Sequence, residues 1–91
     1  MYNTYLKISS WGGDFMSIKV YSTPTCPWCT VTKDYLKSKN FTFEDLDVSK
    51  NRAAAMEMIN KSGQRGVPVI DINGKIIVGF DQTTIDELLK A

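Results

Sequence analysis

From residue 17 onward, stretches of alternating apolar and polar residues exchange repeatedly with stretches of helical spacing. Ile18-Lys19-Val20-Tyr21 alternates β-branched and aromatic residues with a polar one and stops at Ser22-Thr23-Pro24, which predicts a first strand. A helix is expected from Pro27 through Val31, Tyr35 and Leu36 to about Lys39, with Asn40 as its stop. Pro27 suits the first turn, where its missing N–H costs nothing. Phe41 to Asp47 reads as a second strand. Ser49 is the expected N-cap of a second helix, Met56 and Ile59 its buried stripe, and Gly63 its left-handed end.

Val67 to Ile72 reads as a third strand, and Asn73-Gly74 is a strong hairpin signal because both residues tolerate positive φ. The hairpin leads into a fourth strand, Lys75 to Val78. A last helix opens near Asp81 or Thr83, apolar at Ile85, Leu88 and Leu89. The order β-α-β-α-β-β-α predicts an α/β domain over residues 17–91, with the first two strands parallel through a right-handed crossover and the last two antiparallel. Residues 1–16 read as an N-terminal extension outside that fold. Gly12-Gly13-Asp14 can be encoded by a purine-rich run like a bacterial ribosome-binding sequence, so natural translation is expected to start at Met16.

Composition narrows the function. A chain of 91 residues, 43% of them hydrophobic, can close one core without staples. Its net charge of +1 comes from scattered lysines and arginines, which gives no electrostatic footprint for nucleic acid or an anionic membrane. No apolar run approaches the roughly 20 residues of a membrane span. The chain contains no histidine, the commonest general base and a common metal ligand.

The chemistry is concentrated in Pro24-Thr25-Cys26-Pro27-Trp28-Cys29-Thr30, which holds the only two cysteines. A disulfide across two intervening residues closes too short a loop to constrain the unfolded chain much, so a structural staple is a weak reading. A zinc site needs about four ligands, and one Cys-x-x-Cys without histidine supplies half of them. Iron–sulfur binding has the same deficit, and no metal site is expected. A reversible redox pair fits best. Cys26 falls in the turn leaving the first strand, at the N-terminus of the first helix, where free N–H groups and the helix dipole favour a thiolate. The thiolate is the attacking species in disulfide exchange. Cys29, one turn further in, suits a resolving thiol. Trp28 offers a flat face beside the sulfur, as a substrate contact or as an incidental surface aromatic. Pro68 is open to two readings at this stage, an edge proline or part of the site.

Cys26-Pro27-Trp28-Cys29 followed in this strand order by Val67-Pro68 resembles the thioredoxin superfamily. Within it, residues 17–91 are most similar to glutaredoxins and glutaredoxin-like, NrdH-type redoxins. The resemblance implies a four-stranded mixed sheet flanked by three helices, a cis bond before Pro68, and Cys26 and Cys29 as nucleophile and resolving thiol. It places Thr25, Pro27, Trp28, Arg65, Val67, Pro68, Gly79, Phe80 and Asp81 around the substrate or glutathione. It also implies a cytoplasmic monomer that reduces disulfide-containing protein substrates or glutathione mixed disulfides. No cofactor would be bound, and electrons would come from glutathione or from a flavoprotein, thioredoxin reductase with NADPH. The chain departs from glutaredoxins in having Thr23 where a lysine often stands and Trp28 in place of tyrosine. Gly79-Phe80 is more similar to NrdH-type redoxins, which take electrons from thioredoxin reductase and serve ribonucleotide reductase, although those usually lack the Pro and Trp between the cysteines.

Overall fold

The computed structural model describes residues 17–89, so the expected extension and start at Met16 lie outside the described residues. The elements are β1 (Ile18–Ser22), α1 (Pro27–Ser38), β2 (Glu44–Asp47), α2 (Arg52–Ser62), β3 (Val69–Ile72), β4 (Lys75–Val78) and α3 (Gln82–Leu89). They build a four-stranded mixed sheet in the order β2-β1-β3-β4. β1 runs parallel to β2 and antiparallel to β3, and β3 and β4 are antiparallel. The four strands and three helices are those expected from the chain's periodicities.

Strand parity divides the core between the two faces of the sheet. Ile18 and Val20 of β1 and Ile70 and Ile72 of β3 pack with Leu36 of α1 and with Ile85 and Leu89 of α3. Tyr21 and Val69, one residue out of phase with these, pack with Ala54 and Met58 of α2. The central strands are therefore covered on both faces, and every residue of β3 is buried.

One of those buried residues is charged. Asp71 is 8% exposed and faces α2, where Lys61 Nζ reaches its Oδ2 at 2.6 Å. Lys61 also donates to the Tyr21 hydroxyl at 2.8 Å, and that hydroxyl donates to Glu57 at 2.6 Å. Burial works against the Lys61 charge, but the bonds to Asp71 and Tyr21 outweigh it and raise the lysine's pKa. The other Asp71 oxygen accepts the Gly74 N–H at 2.8 Å. The same carboxylate thus ties α2 to the sheet and holds the Asn73-Gly74 turn, whose φ angles of 53° and 92° match the expected left-handed hairpin.

Four expectations are corrected, the first being the third strand, which begins at Val69 rather than Val67. The second strand begins at Glu44, not Phe41. The Phe41 N–H is used to close α1, donating to Leu36 O at 3.0 Å while Asn40, at φ 65°, donates to Lys37 O at 3.0 Å, as in a Schellman motif. The N-cap of α2 is Asn51, whose side chain accepts the Ala54 N–H at 3.0 Å, because Ser49 is engaged by Asp47 through both its amide (2.9 Å) and its hydroxyl (2.5 Å). Met56 is 53% exposed, since it sits two residues from both Ala54 and Met58 and so projects from the opposite side of the helix. Gly63 ends α2 at φ 75°, as expected.

Replacing Lys61 with Met should leave the Asp71 carboxylate buried without its cation and destabilise the fold by about 3 kcal/mol, read as a lower urea midpoint at unchanged slope.

Candidate active site

The chain leaves β1 at Ser22, turns through residues 23–25 and enters α1 at Pro27. Cys26 is the residue that must cap this helix. It has extended geometry, φ −96° and ψ 111°, and its Sγ accepts the Cys29 N–H at 3.1 Å. A hydroxyl or carboxylate oxygen normally fills that role. Pro27 at the start of the helix has no N–H to satisfy, and Thr30 N–H donates to Cys26 O at 3.3 Å to begin the helical ladder. A sulfur held by a helix N-terminal amide sits where negative charge is favoured.

The second cysteine is in a different environment. Both thiols are free, but Cys26 is partly accessible whereas Cys29 is fully buried. Burial, and behind it the hydrogen bond with the Cys26 side chain, pushes the Cys29 thiol up to about 11. A hydrogen bond with the Thr23 backbone and the charge of Lys33 act in the opposite direction. Two sulfurs one helical turn apart are thereby made unlike: one accessible and aimed at by an amide, the other buried and neutral.

Beside them lies a cleft of about 260 Å³ lined by Trp28, Val67, Pro68, Gly79 and Phe80. Its size suits a residue or two of a substrate. The Val67–Pro68 bond is cis, and the Val67 carbonyl oxygen lies 3.9 Å from Cys26 Sγ. The Gly79 N–H donates to Pro68 O at 2.8 Å, with Gly79 at φ 82°, so the exit of β4 is folded back over the proline. Trp28 is 60% exposed and stacks on Phe80 with ring centroids 6.1 Å apart and planes 19° from parallel. Tyr35 meets Phe80 edge-on at 5.6 Å, and its hydroxyl donates to Asp86 of α3. The aromatic wall is therefore anchored from behind by a bond between two helices.

Of the residues expected around the substrate, Cys26, Cys29, Trp28, Val67, Pro68, Gly79 and Phe80 come together here. Pro27 and Thr25 flank Cys26 on the exposed surface. Arg65 lies exposed on the loop before Val67, outside the cleft lining. Asp81 also lies outside the lining, and its carboxylate is engaged as the cap of α3, accepting the Thr84 N–H at 3.2 Å and the Thr84 hydroxyl at 2.9 Å. Those bonds lower its pKa. Sequence reasoning missed Tyr35 and Asp86, which are 51 residues apart and share no local signal. It also missed Lys33, although its spacing of four from Cys29 puts the two on one helix face. Among the described residues, no group of three or more His, Cys, Asp or Glu side chains could hold a metal ion, and no helix is long and apolar enough to cross a membrane.

Comparison with known proteins agrees with this geometry. The glutaredoxin family model matches residues 18–77. An uncharacterized glutaredoxin-like 8.6 kDa protein in the rubredoxin operon of Clostridium pasteurianum is 56% identical over 73 residues, covering 80% of this chain and 97% of that protein. Glutaredoxin 3 of Escherichia coli is 38% identical over 65 residues, covering 71% of this chain and 78% of that protein. Among solved structures, the glutaredoxin-like protein NrdH-redoxin from Escherichia coli superposes with a TM-score of 0.70 at 28% identity, over 79% of this chain and 93% of that one.

The contrast between the two sulfurs has a direct readout. Iodoacetamide at neutral pH should label the folded, reduced protein once, on Cys26, with Cys29 labelled only after unfolding; peptide mass mapping checks the order.

Proposed function

The chain belongs to the glutaredoxin family, whose members are thiol oxidoreductases, and we propose that it works as a dithiol disulfide reductase through Cys26 and Cys29. The observation that carries this reading is the bond from the Cys29 amide to Cys26 Sγ beside a buried Cys29 thiol. Cys26 attacks a substrate disulfide as the thiolate and forms a mixed disulfide. Cys29 then attacks Cys26, the substrate leaves reduced, and the chain is left as the Cys26–Cys29 disulfide. The substrate backbone lies along Val67 as an added short strand, and its side chain next to the sulfur rests against Trp28 and Phe80. Thr25 and Pro27 flank the attacking sulfur, Pro68 and Gly79 close the floor of the cleft, and Arg65 is in reach of a substrate carboxylate from its loop. Asp81 contributes through the cap of α3.

Disulfide-containing proteins and glutathione mixed disulfides are both substrates on this reading, and a reducing compartment such as the cytoplasm regenerates the dithiol. The pair stores both electrons, so no bound cofactor is required. One chain supplies every group, so a monomer suffices.

Two electron donors compete. Glutathione is the donor that the likeness to glutaredoxin 3 supports. The lining of Trp28, Val67, Pro68, Gly79 and Phe80 carries no charged side chain, and this favours a second reading in which thioredoxin reductase with NADPH is the donor and ribonucleotide reductase a substrate, as for NrdH-type redoxins. A coupled assay separates them: turnover with NADPH, glutathione reductase and glutathione marks the first, and turnover only with thioredoxin reductase marks the second.

Cys26→Ser should abolish exchange with either donor. Cys29→Ser should keep activity on glutathione mixed disulfides while trapping protein substrates on Cys26, visible as mixed-disulfide bands on non-reducing gels. Loss of all activity in Cys29→Ser with full activity in Cys26→Ser would reverse the roles.

A further inference from the structure

The resolution step needs a Cys29 thiolate inside the protein, and burial opposes it. One feature beneath the dithiol answers that need. Lys33 follows Cys29 by one helical turn on the same face of α1. Its side chain is 22% exposed and is held under the helix rather than released to solvent. Lys33 Nζ lies 3.0 Å from Asp45 Oδ2 on β2 and 3.5 Å from Ser22 Oγ on β1, and Ser22 Oγ in turn donates to Asp45 Oδ1 at 2.8 Å. Ser22 is 2% exposed, and the buried Cys29 thiol bonds with the backbone of Thr23, the next residue, so the ammonium group is held on Ser22 close to where the resolving sulfur lies.

We propose that Lys33 is a positioning residue for the resolution step, an ammonium clamped by Asp45 and Ser22 that favours the Cys29 thiolate once Cys26 is joined to substrate. This rests on the assignment of Cys29 as the resolving thiol. The Asp45 side chain is 47% exposed, so water screens its charge more than that of the less exposed Lys33. Of the other charged groups near the site, Asp81 and Asp86 are bonded to Thr84 and Tyr35, and Asp71 faces α2 on the opposite side of the sheet. Before reaction, the Cys26 sulfur opposes ionisation of Cys29 through its hydrogen bond and charge. In the mixed disulfide Cys26 is neutral and that opposition ends, while Lys33 stays in place. The order of attack, Cys26 first and Cys29 second, is thus built into the charges. In the step itself Cys29 gives its proton to water and its thiolate attacks Cys26 Sγ. The Cys26–Cys29 bond forms, the bond to the substrate sulfur breaks, and the electron pair leaves with that sulfur, which takes a proton from solvent.

The test is release of thionitrobenzoate from a mixed disulfide preformed on Cys26, followed by its absorbance as a single turnover across pH. Lys33→Gln should slow release about three- to tenfold near neutrality and move the profile to higher pH by a corresponding fraction of a unit to one unit. Lys33→Arg should restore both. In a Cys29→Ser background, Lys33→Gln should leave the first attack of Cys26 on the aryl disulfide unchanged. An unshifted profile in Lys33→Gln, equal losses in the Gln and Arg variants, or an equal loss in the first step would overturn the proposal. Absence of release from the wild-type protein would instead overturn the role of Cys29, a separate outcome.

Discussion

A single hydrogen bond, from the Cys29 amide to the Cys26 sulfur, joins the fold to its chemistry. Every helix leaves its first N–H groups without partners, and most chains satisfy one of them with the oxygen of a serine, threonine, asparagine or aspartate. Here a sulfur takes that place. The same geometry that completes α1 therefore favours negative charge on the sulfur, and negative charge is what makes a thiol a nucleophile. On the proposed function this cap is also the reagent, and it has to remain accessible. Cys26 is partly exposed, whereas Cys29, whose amide serves it, is buried.

The rest of the structure holds this bond in place and surrounds it. β1 and β3 are covered on both faces, which fixes the start of α1 against the cis Val67–Pro68 segment. The Asp71, Lys61, Tyr21 and Glu57 chain ties α2 to the other face and anchors the hairpin whose far end carries Gly79 and Phe80. On the near side, the bond between Tyr35 and Asp86 keeps Phe80 under Trp28. A polar network lies behind each helical layer, while the cleft itself is apolar. On the proposed function, such a surface accepts a flexible disulfide-bearing segment by backbone pairing and stacking, with little demand on its charges.

Much of this was legible in the sequence because the signals are local. The Asn-Gly turn, Gly63 at the end of α2, Pro27 at the start of α1 and the strand alternation of β1 each depend on neighbours within a few residues. The cysteine spacing placed both sulfurs at a helix start, and Val67-Pro68 was found through the family resemblance. What failed did so where two local options competed. Ser49 and Asn51 are both good caps, and Asp47 removes Ser49 from the contest. Phe41 fits a strand by composition, yet its amide closes α1. Tyr35 with Asp86 and Lys33 with Asp45 were invisible because their partners lie on other elements, brought together only by the sheet order. Asp81 shows the reverse case, a polar residue near the site whose carboxylate is occupied in capping α3.

The proposed chemistry depends on the folded helix making the Cys26 sulfur more reactive than the same sulfur in an unfolded chain. The direct measurement compares the second-order rate of Cys26 alkylation near neutral pH in the native protein with that of the Cys29→Ser chain unfolded in urea. The native rate should be the higher, because in the folded chain Cys26 Sγ sits at a helix N-terminus and accepts the Cys29 N–H, an arrangement the unfolded chain lacks. A native rate equal to or below the unfolded one would contradict the proposed chemistry.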